Sequence, residues 1–380
     1  MLAIRNATVF TPFQRLEGYD VLIDGGRITE VAPAIASLAE ETIDAGGLLL
    51  APGFLELQIN GAFGQDFTAG PESIWPVAAR LPCFGVTSFL PTIITSPLET
   101  VHIAQSVLLQ GPPAGFLGAR PLGLHVEGPY LNPERKGAHR EDYLRLPRLE
   151  ECSAYSPEQG VRLLTLAPEL PGALEIVHEL VGRGVVVSAG HSMATVEQAR
   201  LAFAAGVAWG THLFNAMPPL HQFEPGLVGA ILADPEWRFG LIADGIHVHP
   251  TLVSLVWKLS GPGRMALVSD AMAALGMSPG VYRLGDMRTV VVDETSARLP
   301  DGVLAGSILS PDAALRNLVA FTGCSLEEAL TCLTTTPAGL LGLSGEIGQV
   351  APGFRADLVL LTPGLEIVHT LVAGRGVYRA

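Results

Sequence analysis

Four polar residues close apolar runs at points where a side chain could act on a substrate. Glu127 ends "PLGLHVEG", His191 ends "GVVVSAGH", His212 follows small residues in "VAWGTHLFN", and Asp270 ends "MALVSD". Two imidazoles and one carboxylate form a donor set for a single divalent cation. Such a site keeps a position for water and lowers that water's pKa to about 7. Asp270 would then take the proton of that water and pass it to a leaving amine. A single histidine at a strand end is more often structural than functional, so the weight rests on four such residues at the ends of different strands. The ligand set admits Zn2+, Fe2+, Mn2+ or Co2+, with zinc the first choice.

Three neighbours refine this reading. His125 lies two residues before Glu127 and so faces the same side of the strand, where it packs or supports a ligand. Gln58 and Asn60 stand at the spacing at which many metal-dependent barrels place an HxH pair. Amides are neutral, weak ligands, and the expectation is therefore one metal ion, with both amides hydrogen-bonding inside the site.

Residues so far apart in sequence need a scaffold that brings strand ends together. Eight apolar runs begin near Gly53, Val86, Pro121, Arg162, Gly184, Val207, Phe239 and Met265, with helical patterns between several of them. Among these, "SMATVEQARLAFAAG" starts at Ser192 as the expected N-cap and stops at Gly206. Eight strands with interleaved helices predict an α/β fold, a (β/α)8 barrel, whose chemistry sits at the C-terminal strand ends. A doubly wound open sheet would need a Gly-rich phosphate loop after its first strand, and "NGAFGQDF" lacks the GxGxxG spacing. Both ends of the chain read as short strands punctuated by Gly and Pro, and neither could bury a face alone. They are expected to pair into one small β domain from 1–51 and 345–380, around a barrel from 52–344.

Composition sets limits on partners. With 48% hydrophobic and 16% charged residues, the chain can bury a large core. A formal net charge of −14 argues against a nucleic-acid partner. The four cysteines (Cys83, Cys152, Cys324 and Cys332) form no CxxC pair and read as reduced thiols. No apolar run approaches the roughly 20 residues that span a bilayer, and "MLAIRNATVFTP" lacks the pattern of a secretory signal. The expectation is a soluble cytoplasmic protein without a membrane partner.

The motifs resemble those of the N-acetylglucosamine-6-phosphate deacetylase family of the amidohydrolase superfamily. The matching stretches include "PGFLELQINGAFGQDF", "GLHVEGPYLNPERKGAH", "VSAGHSMAT", "THLFNAMPPLHQFEPGLVGAIL", "LIADGIHVHP", "LVSDAMAALG" and "LAGSILSPDAALRNLV", in family order over nearly the whole chain. The resemblance implies a distorted TIM barrel with a β-sandwich built from both termini. It implies Glu127, His191 and His212 as ligands of one divalent metal and Asp270 as the acid/base. His139 would polarise the N-acetyl carbonyl beside Ala138. Substrate contacts would come from Asn215 and Ala216, from Asp244 and His247 in "DGIH", and from Leu304, Ala305 and Gly306 in a loop that closes over the sugar. The implied partner is a small N-acetylated amino-sugar phosphate, and the implied assembly a homodimer.

One position departs from that pattern. Phe223 stands where the family usually carries an arginine that grips the substrate phosphate from across the dimer interface. Phe donates no hydrogen bond, and losing one charge-assisted contact should cost about ten- to a hundredfold in affinity. Either another cation substitutes, with Arg135, Lys136 and Arg140 nearby, or the substrate lacks a phosphate and Phe223 stacks on it. A third reading has Phe223 filling a helix-entry or dimer contact. Glu224 beside it reads as a solvated acid. Rival functions are a different amidohydrolase, which would want the HxH pair and a bridging lysine, and a non-catalytic barrel that binds amino sugars.

Overall fold

The computed structural model describes residues 1–11, 14–285 and 288–380. Eight parallel strands make a nearly closed ring: Phe54–Ile59, Val86–Ile94, Leu124–Glu127, Val161–Leu166, Val186–Ala189, Trp209–Gly210, Arg238–Leu241 and Met265–Leu267. The first and last meet through a parallel bridge between Ile59 and Ala271, reinforced by Asp270 N–H donating to Gln58 O at 2.9 Å. A short extra strand, Arg120–Pro121, pairs in parallel with Ser88 and Phe89 of Val86–Ile94. The strands are continuous apolar runs because a parallel sheet under helices is buried on both faces; all nine residues of Val86–Ile94 are buried.

The helices between strands present an apolar face to this ring. In Ala173–Gly182, Ile176, Val177 and Leu180 are buried. In Pro250–Ser260, the buried residues are Val253 and Val256. The helix expected to start at Ser192 runs from Val196 to Ala205, and its N-cap is Thr195, in a capping box with Gln198. Ser192 is drawn off because its hydroxyl donates to Glu169 Oε2 at 2.7 Å. The stop at Gly206, in the left-handed region at φ 114°, is as expected.

The two termini pair as anticipated. Leu49–Pro52 runs antiparallel to Leu358–Leu361, which joins the N-terminal strands to the C-terminal ones in a single eight-stranded sheet. Its own core includes Ile4, Val9, Val21, Leu50, Leu358 and Leu371. One element was not anticipated. After the eighth barrel strand the chain makes a three-stranded antiparallel sheet, Gly280–Leu284, Arg288–Val292 and Ala297–Arg298, which packs Leu284, Val290 and Ala305 into a core of its own beside the strand ends.

Candidate metal centre and active site

The third, fifth, sixth and eighth strands each deliver one chemistry-bearing residue at the C-terminal end. Glu127 is the last residue of Leu124–Glu127, and His191 and His212 each lie two residues beyond their strands. Asp270 lies three beyond Met265–Leu267. His191, His212 and Asp270 all have left-handed backbones, with φ of 49°, 26° and 48°. Such conformers cost roughly 1–3 kcal/mol in non-glycine residues and persist where the surroundings impose them. Here the turn at each strand end aims a side chain into the mouth of the barrel.

Glu127 Oε1 lies 3.2 Å from His191 Nε2 and 3.0 Å from His212 Nε2, and the two nitrogens are 3.0 Å apart. Ligand atoms around a tetrahedral zinc, with bonds near 2.0–2.1 Å, lie about 3.3 Å apart. The three atoms therefore already have the separations that a small divalent cation needs. All three residues are buried, so their charges and lone pairs have little water to satisfy them. His191 Nδ1 sits 2.8 Å from the Arg135 carbonyl. A carbonyl only accepts, so Nδ1 carries the proton and Nε2 offers its lone pair to the centre.

His139 is also close, and Glu127, His139 and His191 have donor atoms within 4.8 Å of one another. Its tautomer points to a different role. The Thr95 backbone N–H, whose direction is fixed, donates to His139 Nδ1 at 3.3 Å, and the Thr95 hydroxyl lies 2.8 Å from the same atom. Nδ1 must accept, so the proton sits on Nε2. That N–H is 3.9 Å from Glu127 Oε2. His139 thus offers the centre a hydrogen bond rather than a lone pair. Burial, with the nearby His191 adding to it, pushes its pKa down to about 3, so it is a neutral donor.

Other charges follow the same physics. Burial would raise the Glu127 carboxyl, but the imidazoles of His191 and His212 outweigh it and hold the group well below the usual range. Asp270 lacks a comparable partner. Burial first, then the charge on Glu127, push it up to about 6. A carboxylate poised there is mostly ionised at neutral pH yet can carry a proton, as an acid/base requires.

Amides and hydroxyls support these groups from behind. Gln58 Nε2 donates to Glu127 Oε1 at 2.9 Å, while Gln58 Oε1 accepts from the Thr211 hydroxyl at 2.6 Å. Asn60 Nδ2 donates to Asp270 Oδ1 at 2.7 Å. His125 lies below, with Nε2 2.8 Å from Thr165 Oγ1 and Nδ1 3.2 Å from Leu57 O, and burial pushes it down to about 4. It supports the strand and does not reach the centre.

A cavity of about 180 Å³ opens over these atoms. Its wall brings together Glu127, His139, His191, His212 and Asp270 with Ala138, Asn215, Ala216, His247, Leu304 and Gly306. Three residues expected at the substrate are not on that wall. Asp244 stands behind His247, its Oδ2 2.6 Å from His247 Nδ1, and orients the ring. Ala305 is fully buried in the core of the three-stranded sheet. Phe223 is 84% exposed and its ring contacts only that of His221, at 5.4 Å, among the aromatic pairs. Glu224 is more than a solvated acid. Its Oε1 accepts from Val196 N and Gly226 N at 2.9 and 3.0 Å, which ties together the starts of two helices.

Sequence reasoning missed Leu284 and Val303, which complete the cavity wall from the unexpected sheet and the loop after it. It also missed Glu169, which accepts from Asn132 Nδ2, Ser192 Oγ and Met193 N and so fastens the segment after His191. The signal was available, because Glu169 lies three residues beyond an apolar strand, as Asp270 does. A larger cavity, about 1110 Å³, lies against the terminal sheet near Trp75, Arg120 and Arg355 and contains none of the active-site groups.

The sequence and the fold both have counterparts among known proteins. The sequence pattern of the amidohydrolase family matches residues 50–377. The chain is 39% identical over 379 residues to human N-acetylglucosamine-6-phosphate deacetylase, covering 95% of this chain and 92% of the human one. It is 38% identical over 364 residues to N-acetylgalactosamine-6-phosphate deacetylase of Escherichia coli O157:H7, covering 95% of each. Among solved structures, N-acetyl-D-glucosamine-6-phosphate deacetylase of Mycobacterium smegmatis, in complex with N-acetyl-D-glucosamine-6-phosphate, superposes with a TM-score of 0.91 at 33% identity over 99% of each chain.

Proposed function

The chain belongs to the amidohydrolase family, in its branch of N-acetylglucosamine-6-phosphate deacetylases, and on that premise we propose that it hydrolyses N-acetylglucosamine 6-phosphate to glucosamine 6-phosphate and acetate. The observation that carries the reading is the buried set of Glu127, His191 and His212, with an acid/base and a neutral hydrogen-bond donor on the same cavity wall. Glu127, His191 and His212 would hold one divalent metal, zinc by preference for a His2Glu set. When bound, the ion supplies the positive charge that acidifies water and polarises the acetyl carbonyl. His139 Nε2–H donates to the carbonyl oxygen as negative charge develops there. Asp270 takes a proton from the attacking water and returns it to the amide nitrogen, so that an amine departs rather than an amide anion. His247, held by Asp244, presents a fixed imidazole edge to the sugar.

The phosphate is the second element of the reading. Beside the His139 loop lies a depression lined by Lys136, Arg140 and Arg288, with Glu141 and Asp142. Among the described residues, Lys136 pairs with Glu141 and Arg140 with Asp142. Three basic side chains close to His139 in the chain, Arg135, Lys136 and Arg140, together with relatives that are named for 6-phosphate substrates, support a phosphorylated substrate although Phe223 replaces the family's arginine. The chain acts as a homodimer, a reading supported by Leu220 and Phe223, which are exposed on the loop between His212 and the next helix.

The test is acetate release from N-acetylglucosamine 6-phosphate by zinc-reconstituted protein, with metal content measured on the same sample. Near one zinc per chain with turnover is expected. His212→Ala should lose both the metal and the activity, and a His212→Ala protein that keeps both would refute the ligand assignment.

A further inference from the structure

Asn60 has an oxygen without a partner. The residue is 3% exposed and follows the first barrel strand, anchored by its own N–H to Ala271 O at 2.8 Å. Its Nδ2 faces two acceptors of Asp270, the carboxylate Oδ1 at 2.7 Å and the backbone carbonyl at 3.4 Å. Those acceptors fix the orientation of the carboxamide, because the flipped amide would set oxygen against oxygen. Asn60 Oδ1 is therefore the end turned from Asp270, and it is buried with no hydrogen-bond partner among the described residues. Asn60 also lines the cavity that holds Glu127, His139 and Asp270. A buried acceptor left unmatched is costly, and one beside the acid/base has an evident donor in the reaction itself.

An attacking water has two protons to place. One goes to Asp270 and later to the departing amine, and a lone pair goes to the carbonyl carbon. The remaining proton needs an acceptor near Asp270, or the water rotates and its lone pair turns from the carbonyl. We propose that Asn60 is a catalytic residue that orients the hydrolytic water, its Oδ1 accepting the proton that Asp270 does not take while its Nδ2 holds the Asp270 carboxylate in register. Asn60 accepts only a hydrogen bond and exchanges no proton, so the balance of the hydrolysis is unchanged: water adds across the C–N bond, acetate leaves, and Asp270 ends as it began. Asn60 does for the water what Gln58 does for Glu127, each fixed by a partner that settles which end of the amide is which. The inference rests on the hydrolase reading above.

Two variants test it, with kcat, KM, glucosamine 6-phosphate affinity and thermal midpoint measured for each. Asn60→Leu fills the space with apolar atoms and removes both hydrogen bonds. Its kcat should fall about ten- to a hundredfold, with KM and product affinity within about threefold of wild type. Asn60→Ala leaves room for a second water to serve as acceptor, so it should retain more kcat than Asn60→Leu while being no more stable. A purely structural asparagine predicts the opposite order, since the smaller side chain leaves the larger hole. The inference is overturned if Asn60→Leu keeps kcat within about threefold of wild type. It is equally overturned if the loss is no smaller in Asn60→Ala. Wild-type protein that releases no acetate would instead sink the hydrolase reading, and the inference with it.

Discussion

At the scale of single residues, the assignment of roles turns on which nitrogen of each imidazole carries the proton. His191 and His139 lie 4.5 Å apart, ring centre to ring centre, yet one faces the centre with a lone pair and the other with an N–H. Only the first can bind a cation, and only the second can stabilise an oxyanion. His139→Leu should therefore leave zinc content near that of wild type and lower kcat about a hundredfold or more; loss of the metal in that variant would make His139 a ligand instead. Glu56 offers a test away from the centre. It is buried under the barrel, accepts N–H bonds from Gln58 and Ser269, and burial pushes its pKa up to about 7 from 4.5. A carboxyl raised in this way contributes stability that is whole below about pH 4.5 and is lost as pH rises through about 7. Glu56→Gln has no such proton to lose. Its stability relative to wild type should climb across that window, toward about 3 kcal/mol, because a tenfold change in proton affinity is worth about 1.36 kcal/mol. Urea midpoints at several pH values give the comparison, and a constant difference would show that Glu56 titrates normally.

At the scale of elements, the strand ends tolerate little added volume. A Cβ on Gly190 would come within 2.3 Å of Thr211 Cγ2. Thr211 in turn holds Gln58, which bonds Glu127, and Thr211 directly precedes His212. Gly190→Ala should destabilise the protein by roughly 1–3 kcal/mol and lower metal affinity as well, because His191 and His212 follow the two residues that collide. Metal titration alongside thermal melting would check this, and an unchanged metal affinity would mean that the strand ends yield without disturbing the ligands. The strands themselves were legible in the sequence because a two-sided buried strand leaves an unbroken apolar run. Polar residues that close such runs were legible for the same reason, which is how Glu127, His191, His212 and Asp270 stood out. The N-cap was misread because both Ser192 and Thr195 can cap, and only the distant Glu169 decides between them. The sheet formed by Gly280–Leu284, Arg288–Val292 and Ala297–Arg298 was not read at all. Its strands are short and half-exposed, so they lack the apolar continuity that marks the others.

At the scale of the whole molecule, the barrel brings together residues as far as 213 positions apart, as Glu56 and Ser269 are. The terminal sheet keeps a separate core, and no helix among the described residues is long and apolar enough to cross a membrane. In a single chain the loop that carries Phe223, where the family resemblance implies an arginine, is exposed. Nothing in the sequence told whether that residue faces the substrate, since a loop's direction depends on packing rather than pattern. Phe223 is exposed and does not line the cavity of its own chain, while Lys136, Arg140 and Arg288 share a depression with Glu141 and Asp142. The most direct test is kcat/KM for N-acetylglucosamine 6-phosphate and for N-acetylglucosamine, side by side on zinc-replete protein. The account predicts acetate release from both, with a preference of at least about tenfold for the phosphate ester, the worth of one charge-assisted contact. Equal rates or a preference for the free sugar would contradict the phosphate reading, and no release from either would contradict the deacetylase itself.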